Sequence, residues 1–219
     1  ACGRGANAAY LSALGRRDLR WRLVDGDDDL LSEARLRCPA ARVLCSDLGR
    51  RVGLTVLDRC DAVTASALCD LVSHAWINTL IGRAAHRGLP VFLALTVDGR
   101  IRLSPPHRHD ARVLASFRSD QRRDKGFGPA LGAAAVPAIL ASLRRHGYRH
   151  LRTARSDWRL TQADSAMLAA TIEGIAEVAG AEGESWRHER RAQIEAGGLS
   201  AVVGHMDILA LSDPRHISD

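Results

Sequence analysis

Lysine is almost absent from this chain of 219 residues: of its 31 basic side chains, Lys125 alone is a lysine. The arginines are scattered, with no block of five. A formal net charge of +6 attracts phosphates whatever their sequence, but its scatter argues against a dedicated nucleic-acid binder. Long apolar runs are missing too. The longest, such as Val91 to Val97, fall far short of the ~20 residues a membrane-spanning helix requires. Nothing after Ala1 reads as a signal peptide, and since Ala1 is not methionine the chain is expected to begin inside a longer reading frame. The five cysteines, Cys2, Cys38, Cys45, Cys60 and Cys69, form no CxxC pair. Their odd number points to a reducing cytoplasmic setting and away from a zinc site.

What is present is average globular composition, with 46% hydrophobic and 26% charged residues, 19 Gly and 7 Pro. This excludes disordered, collagen-like and disulfide-scaffold classes. Apolar β-branched runs recur at Trp21 to Val24, Arg42 to Cys45, Ala62 to Thr64, Val91 to Val97, His150 to Ala154 and Ala201 to Leu211. Between them lie helix-compatible stretches: Ala6 to Arg17, Asp28 to Arg37, Leu71 to Arg87, Ala111 to Arg123, Ala133 to His146 and Gln162 to Val178. Strands alternating with helices predict an α/β fold, a doubly wound and mostly parallel sheet with helices on both faces. One domain is expected over residues 1–219, with helical insertions about 107–130 and 160–197. Asp70 and Asp110 are suited to cap two helices, and Gly88 and Gly147 to end two others. Val97-Asp98-Gly99-Arg100 has the composition of a hairpin turn. Glu182 to Glu195 reads as a solvated amphipathic helix around Trp186.

The opening Cys2-Gly3-Arg4-Gly5-Ala6-Asn7 runs straight into a helix, a place where the backbone can approach a ligand and present free N–H groups. Asp25, twenty positions beyond Gly5, ends the next strand in Asp25-Gly26-Asp27. A carboxylate there can accept hydrogen bonds from both ribose hydroxyls of a nucleoside. Asp47-Leu48 follows the third strand, where an adenine amino group can be held, and Ala65-Ser66 follows the fourth.

With these residues the chain resembles the class I S-adenosylmethionine-dependent methyltransferase family. The family's first motif, an acid and then three spaced glycines, falls on Ala1, Gly3 and Gly5. Ala1 replaces the first glycine; the acid and most of the first strand are absent, which implies an N-terminally truncated member. The resemblance covers nearly the whole chain and includes an antiparallel last strand at Ala201 to Leu211. It implies S-adenosylmethionine as cofactor, with Gly3 and Gly5 at its methionine part, Asp25 at the ribose, Asp47 and Leu48 at the adenine, and Ala65 with Ser66 flanking the sulfonium. Asn7 and Gly26 complete the expected cofactor set. A nicotinamide-dependent dehydrogenase would show GxGxxG, whereas the residue three beyond Gly5 is Ala8.

The substrate crevice of an open α/β sheet lies beyond the carboxyl ends of its strands. There Asp70 and His74, one helical turn apart, can act as a carboxylate and base on one helix face. The Asn/Asp-Pro-Pro-aromatic motif with which the family methylates base amino groups is missing. The charged run Gln121 to Pro129 holds two glycines, Gly126 and Gly128, suited to hinge a lid. Arg123, Lys125 and Phe127 within it, and Asp157 and Trp158 after the sixth strand, are the expected substrate-binding residues. The two cations point to a polar or anionic small-molecule acceptor. His107-Arg108-His109 lacks a third ligand at metal spacing, so no metal is expected. The reading is methyl transfer to a small molecule; the alternatives are a non-catalytic nucleoside-binding module and an RNA methyltransferase.

Overall fold

The computed structural model describes residues 2–15, 18–49 and 54–212. Ala1 of the glycine motif, and Arg16 and Arg17 at the end of the first expected helix, lie outside them.

Gly5, at φ +76°, turns the chain into α1 (Ala6–Ala13). β1 (Arg22–Asp25) is joined through α2 (Asp28–Arg37) to the parallel β2 (Arg42–Cys45). Asp27 starts α2 by accepting the N–H groups of Asp29 and Leu30 at 2.9 and 3.1 Å. Acidic Asp28 and Asp29 in the first turn and Arg35 and Arg37 in the last suit the helix dipole.

The second sheet has the order β3 (Val63–Ser66), β4 (Val91–Ser104), β7 (Ser200–Leu211) and β5 (His150–Arg155), with β6 (Trp158–Leu160) also on β7. β3 and β4 are parallel, and β7 runs antiparallel to β4, β5 and β6. α3 (His74–His86) buries Trp76, Ile77, Leu80, Ile81 and Ala84, one face at helical spacing, and α5 (Ala135–Arg145) buries Ala135, Ile139 and Leu143. These meet Val91, Leu93, Ile208 and Ala210 of the sheet in the main core. Each fully buried Leu, Ile or Val contributes roughly 1.5–3 kcal/mol.

The expected single sheet is in two pieces. Ahead of Gly3 the described chain holds one residue, Cys2, whose N–H donates to Val24 O at 2.8 Å along the edge of β1. Side chains link the two pieces. Arg22 donates to Val56 O and Asp58 O at 2.9 and 2.7 Å, and Asn7 Nδ2 to Thr64 Oγ1 at 3.0 Å.

β4 and β7 run on beyond β3 and β5 as a ribbon that β6 joins. α4 (Asp110–Asp120), α6 (Ser165–Ala176) and α7 (Gly180–Glu195) pack with it in a second core around Trp186, Leu168 and Ile172. Several expectations are corrected here. Asp98-Gly99 makes no hairpin: Ile101 and Leu103 continue the strand on β7, and the turn residues bulge out between Val97 and Ile101. Ser73 caps α3 in place of Asp70, and His109 precedes α4 in place of Asp110. α7 keeps its expected amphipathic character, with Trp186, Arg190 and Ile194 buried along one face and most of its other residues exposed. The short β6 had no sequence expectation.

Candidate functional site

At the end of β1 the Asp25 carboxylate is buried, accepting the Gly3 N–H at 2.7 Å on Oδ2 and the Asp27 N–H at 3.2 Å on Oδ1. This bond draws the glycine turn onto the strand end. α1 begins at Gly5 with no side-chain cap, so its first N–H groups keep their capacity for a ligand's anionic group. Gly26 packs against the Asp47 backbone, and Asp47 Oδ1 accepts the Gly49 N–H at 2.8 Å. Leu48 O accepts Trp76 Nε1–H at 2.8 Å. Asn7 reaches Thr64, and half-buried Ala65 and Ser66 complete β3. The fold thus brings all nine expected cofactor residues to the carboxyl ends of β1, β2 and β3 or to the start of α1. A buried carboxylate beside uncapped helix N–H groups suits a ligand that joins vicinal hydroxyls to an anionic tail.

Residues 120–129 form a strap over this end. Asp124 Oδ1 accepts the N–H groups of Gly126 and Gly128 at 2.7 and 2.9 Å, fixing the turn. The strap lies so close to Gly49 that a Cβ there would collide with Gly126 O. Phe127 meets Trp76 edge to face, ring centroids 5.8 Å apart. Arg123 and Lys125 pair with Asp120 at 3.2 and 2.9 Å, and the Arg123 side chain is 77% exposed. The hydrogen bond from Lys125 holds the Asp120 carboxyl below its ordinary range.

The remaining expected residues lie at the junction of sheet and ribbon. Ser66 at the end of β3 pairs with Ala94; Thr96 and Arg155 both pair with Met206, and Val97 with His205. The carboxyl ends of β3 and β5 therefore meet β7 at His205-Met206. Asp207 Oδ1 shapes this level by accepting Ser156 Oγ–H at 2.6 Å and the N–H of Leu95 at 2.8 Å. Leu95 sits at φ +51°, where the register of β4 shifts. Asp70 lies in the turn before α3, and His74 is the exposed first residue of that helix. They share no helix face, which corrects the expected base pair. Asp70 is buried, its Oδ1 has no hydrogen-bond partner among the described residues, and burial raises its pKa.

Asp157 binds Arg100 at 2.6 Å and accepts the His205 N–H at 3.3 Å. The Arg100 hydrogen bond keeps the Asp157 carboxyl below its usual value. Trp158 packs against His205 with ring centroids 4.7 Å apart and the planes tilted by 44°. His205 is 4% exposed, and burial lowers its pKa. Sequence reasoning missed this histidine; the signal was a lone imidazole between Gly204 and Asp207 in an apolar strand.

No family model and no curated protein matches the sequence. Among solved structures, a cyclopropane synthase of Mycobacterium tuberculosis superposes with a TM-score of 0.50 at 14% identity, over 95% of this chain and 75% of that one. A phosphoethanolamine N-methyltransferase of Haemonchus contortus, held with phosphomonomethylethanolamine and S-adenosylhomocysteine, gives a TM-score of 0.51 at 12% identity. The match covers 98% of this chain, which spans about half of that enzyme (48%). The chain has the class I methyltransferase fold. In a methyltransferase fold of this kind, the carboxyl ends of the parallel strands form the ligand side of the sheet. That is where the glycine turn, Asp25 and the buried cluster of Asp70, Asp157 and His205 lie.

Proposed function

We propose that the chain is an S-adenosylmethionine-dependent methyltransferase acting on a small-molecule acceptor. The observation that carries this reading is the Asp25 carboxylate bonded to Gly3 beside the uncapped start of α1. Gly3 and Gly5 would hold the methionine part of the cofactor, Asp25 the ribose, Asp47 and Leu48 the adenine, and Ala65 and Ser66 the edge nearest the sulfonium. When bound, the cofactor supplies a methyl carbon whose bond to sulfur breaks with its electron pair left on sulfur.

The chain's own residues bind, align and exclude water. The strap, fastened by Asp124 and packed through Phe127 on Trp76, covers the adenine end. Alignment of an acceptor along the breaking bond supplies up to about 7–11 kcal/mol. Among the expected site residues, Asp70, Asp157 and Trp158 lie around His205, whereas Arg123 and Lys125 pair with Asp120 on the strap.

Thermal unfolding with added ligands tests the reading. S-adenosylhomocysteine at a hundredfold excess over its Kd should stabilise the folded chain by about 2.7 kcal/mol, and NAD should leave the Tm unchanged. A Tm raised by NAD and indifferent to S-adenosylhomocysteine would overturn it.

A further inference from the structure

The junction of sheet and ribbon gathers Asp70, Asp98 and Asp157 around an imidazole that no expectation covered. His205 Nδ1 lies 3.1 Å from Val203 O. In the neutral ring that nitrogen therefore carries the proton, and Nε2 is the lone-pair acceptor. Trp158 packs against the ring, the two planes inclined at 44°. The charged groups facing it come from three elements: Asp70 from the turn before α3, Asp98 and Arg100 from the β4 bulge, and Asp157 from the link between β5 and β6. Three carboxylates thus stand against one guanidinium, which is itself bound to Asp98 and Asp157 at 2.6 Å each. Asp70 Oδ1 is buried there without a hydrogen-bond partner among the described residues, while Thr96 Oγ1 is buried beside the Cys69 thiol. An unpartnered buried carboxylate oxygen costs free energy that a donor-rich cationic guest would recover.

Taking the methyltransferase reading as its basis, we infer that the acceptor is a primary or secondary amine, bound as its ammonium beside Asp70, and that His205 Nε2 removes its proton. An ammonium has no lone pair to offer. Its N–H proton passes to Nε2, giving an imidazolium, and the freed nitrogen pair forms the new bond to the methyl carbon as the carbon–sulfur pair stays on sulfur. The product is a methylated ammonium, and the imidazolium returns its proton to water. The carboxylates offset the repulsion between acceptor and sulfonium, and low basicity lets His205 stay neutral near pH 7, ready to accept a proton. This replaces the anionic acceptor that Arg123 and Lys125 suggested.

The test reads His205 itself, with S-adenosylhomocysteine binding by calorimetry as a separate control. In the whole chain saturated with S-adenosylhomocysteine, the His205 ring signal, assigned by its loss in His205→Gln, is followed by NMR during addition of ethanolamine, putrescine and tyramine. Ethylene glycol and propionate are the uncharged and anionic controls. At least one amine should shift the signal saturably, and neither control should. With labelled cofactor that amine should be methylated, and His205→Gln should lower kcat about 10²–10⁴-fold with little change in KM. The deficit should shrink as pH rises towards the amine's own pKa, because free amine needs no base; a merely structural residue would not give that profile. Binding of S-adenosylhomocysteine with no response to any amine, or methylation of a control, would overturn this inference while leaving the methyltransferase reading standing. No binding of S-adenosylhomocysteine would overturn both.

Discussion

The Asp25 carboxylate accepts the backbone N–H of Gly3 at 2.7 Å, across 22 positions of sequence. Through this bond the end of β1 sets the position of the glycine turn. Asp25→Ala leaves the N–H groups of Gly3 and Asp27 without this acceptor and should cost about 1.5–3 kcal/mol in urea unfolding. Asp25→Asn keeps a side-chain oxygen for Gly3 and should cost less than about 1 kcal/mol. Equal losses from the two substitutions would mean that the turn is held by charge rather than by the bond.

Gly49 marks where the strap touches the adenine end. A methyl group there meets the carbonyl of Gly126, and backbone cannot yield as a flexible side chain does. Gly49→Ala should lower stability by about 1–3 kcal/mol, the usual cost of overpacking, and should speed proteolysis between Arg122 and Lys125. Unchanged cleavage would show that the strap does not rest on this contact.

Arg190 is fully buried in the second core, where Asp110 bonds it at 2.6 and 2.7 Å and Trp186 Nε1–H donates to the same carboxylate at 2.8 Å. Burial alone would raise the Asp110 carboxyl, but the bonds from Arg190 and Trp186 outweigh it and hold it below its ordinary value of 3.8. Asp110→Ala leaves an uncompensated guanidinium and should cost about 3–5 kcal/mol in urea unfolding at pH 7. Since the folded pKa is the lower one, the stabilisation is complete above the unfolded value of 3.8 and disappears as pH falls through the folded value. Below pH 3.8 the wild-type stability should therefore fall more steeply than that of Asp110→Asn.

Cys69 is buried in the main core, and burial pushes its thiol up to about 12. At pH 8 almost none of it is thiolate, the reactive form. Iodoacetamide should alkylate exposed Cys45 well before Cys69, which should label at the rate of local opening, as mass spectrometry would show. Simultaneous labelling of the two would contradict the burial of Cys69.

Much of the first half was legible because its signals are local. The helix Asp28–Arg37 follows a capping aspartate, and the strand Arg42–Cys45 is a short run between turn residues. Asp25 and Asp47 stood out as acids at strand ends. Asp70 and Asp157 also stood out as acids after strands, but their meeting with Asp98 and His205 was not legible, because the four are joined only by the register of β4 and β7. The pair Asp98-Gly99 carries the same composition whether it closes a hairpin or bulges from a continuing strand; Ile101 and Leu103, which go on pairing with β7, decide it. Asp70 and His74 have the right spacing for one helix face, but Ser73 caps α3 between them and leaves Asp70 outside. The helix around Trp186 was legible as amphipathic, but the burial of Arg190 was not, since a charged side chain reads as solvent-facing until its partner Asp110 is placed.

The central claim is that Asp25 holds the ribose of S-adenosylmethionine, and calorimetric titration of S-adenosylhomocysteine into the wild type and Asp25→Asn tests it most directly. The account predicts saturable one-to-one binding to the wild type. Asp25→Asn, folded but without the charge, should bind about 10- to 100-fold more weakly, the equivalent of about 1.5–3 kcal/mol for a hydrogen bond to a charged group. Equal affinity in both proteins, or no binding to a folded wild type, would contradict it.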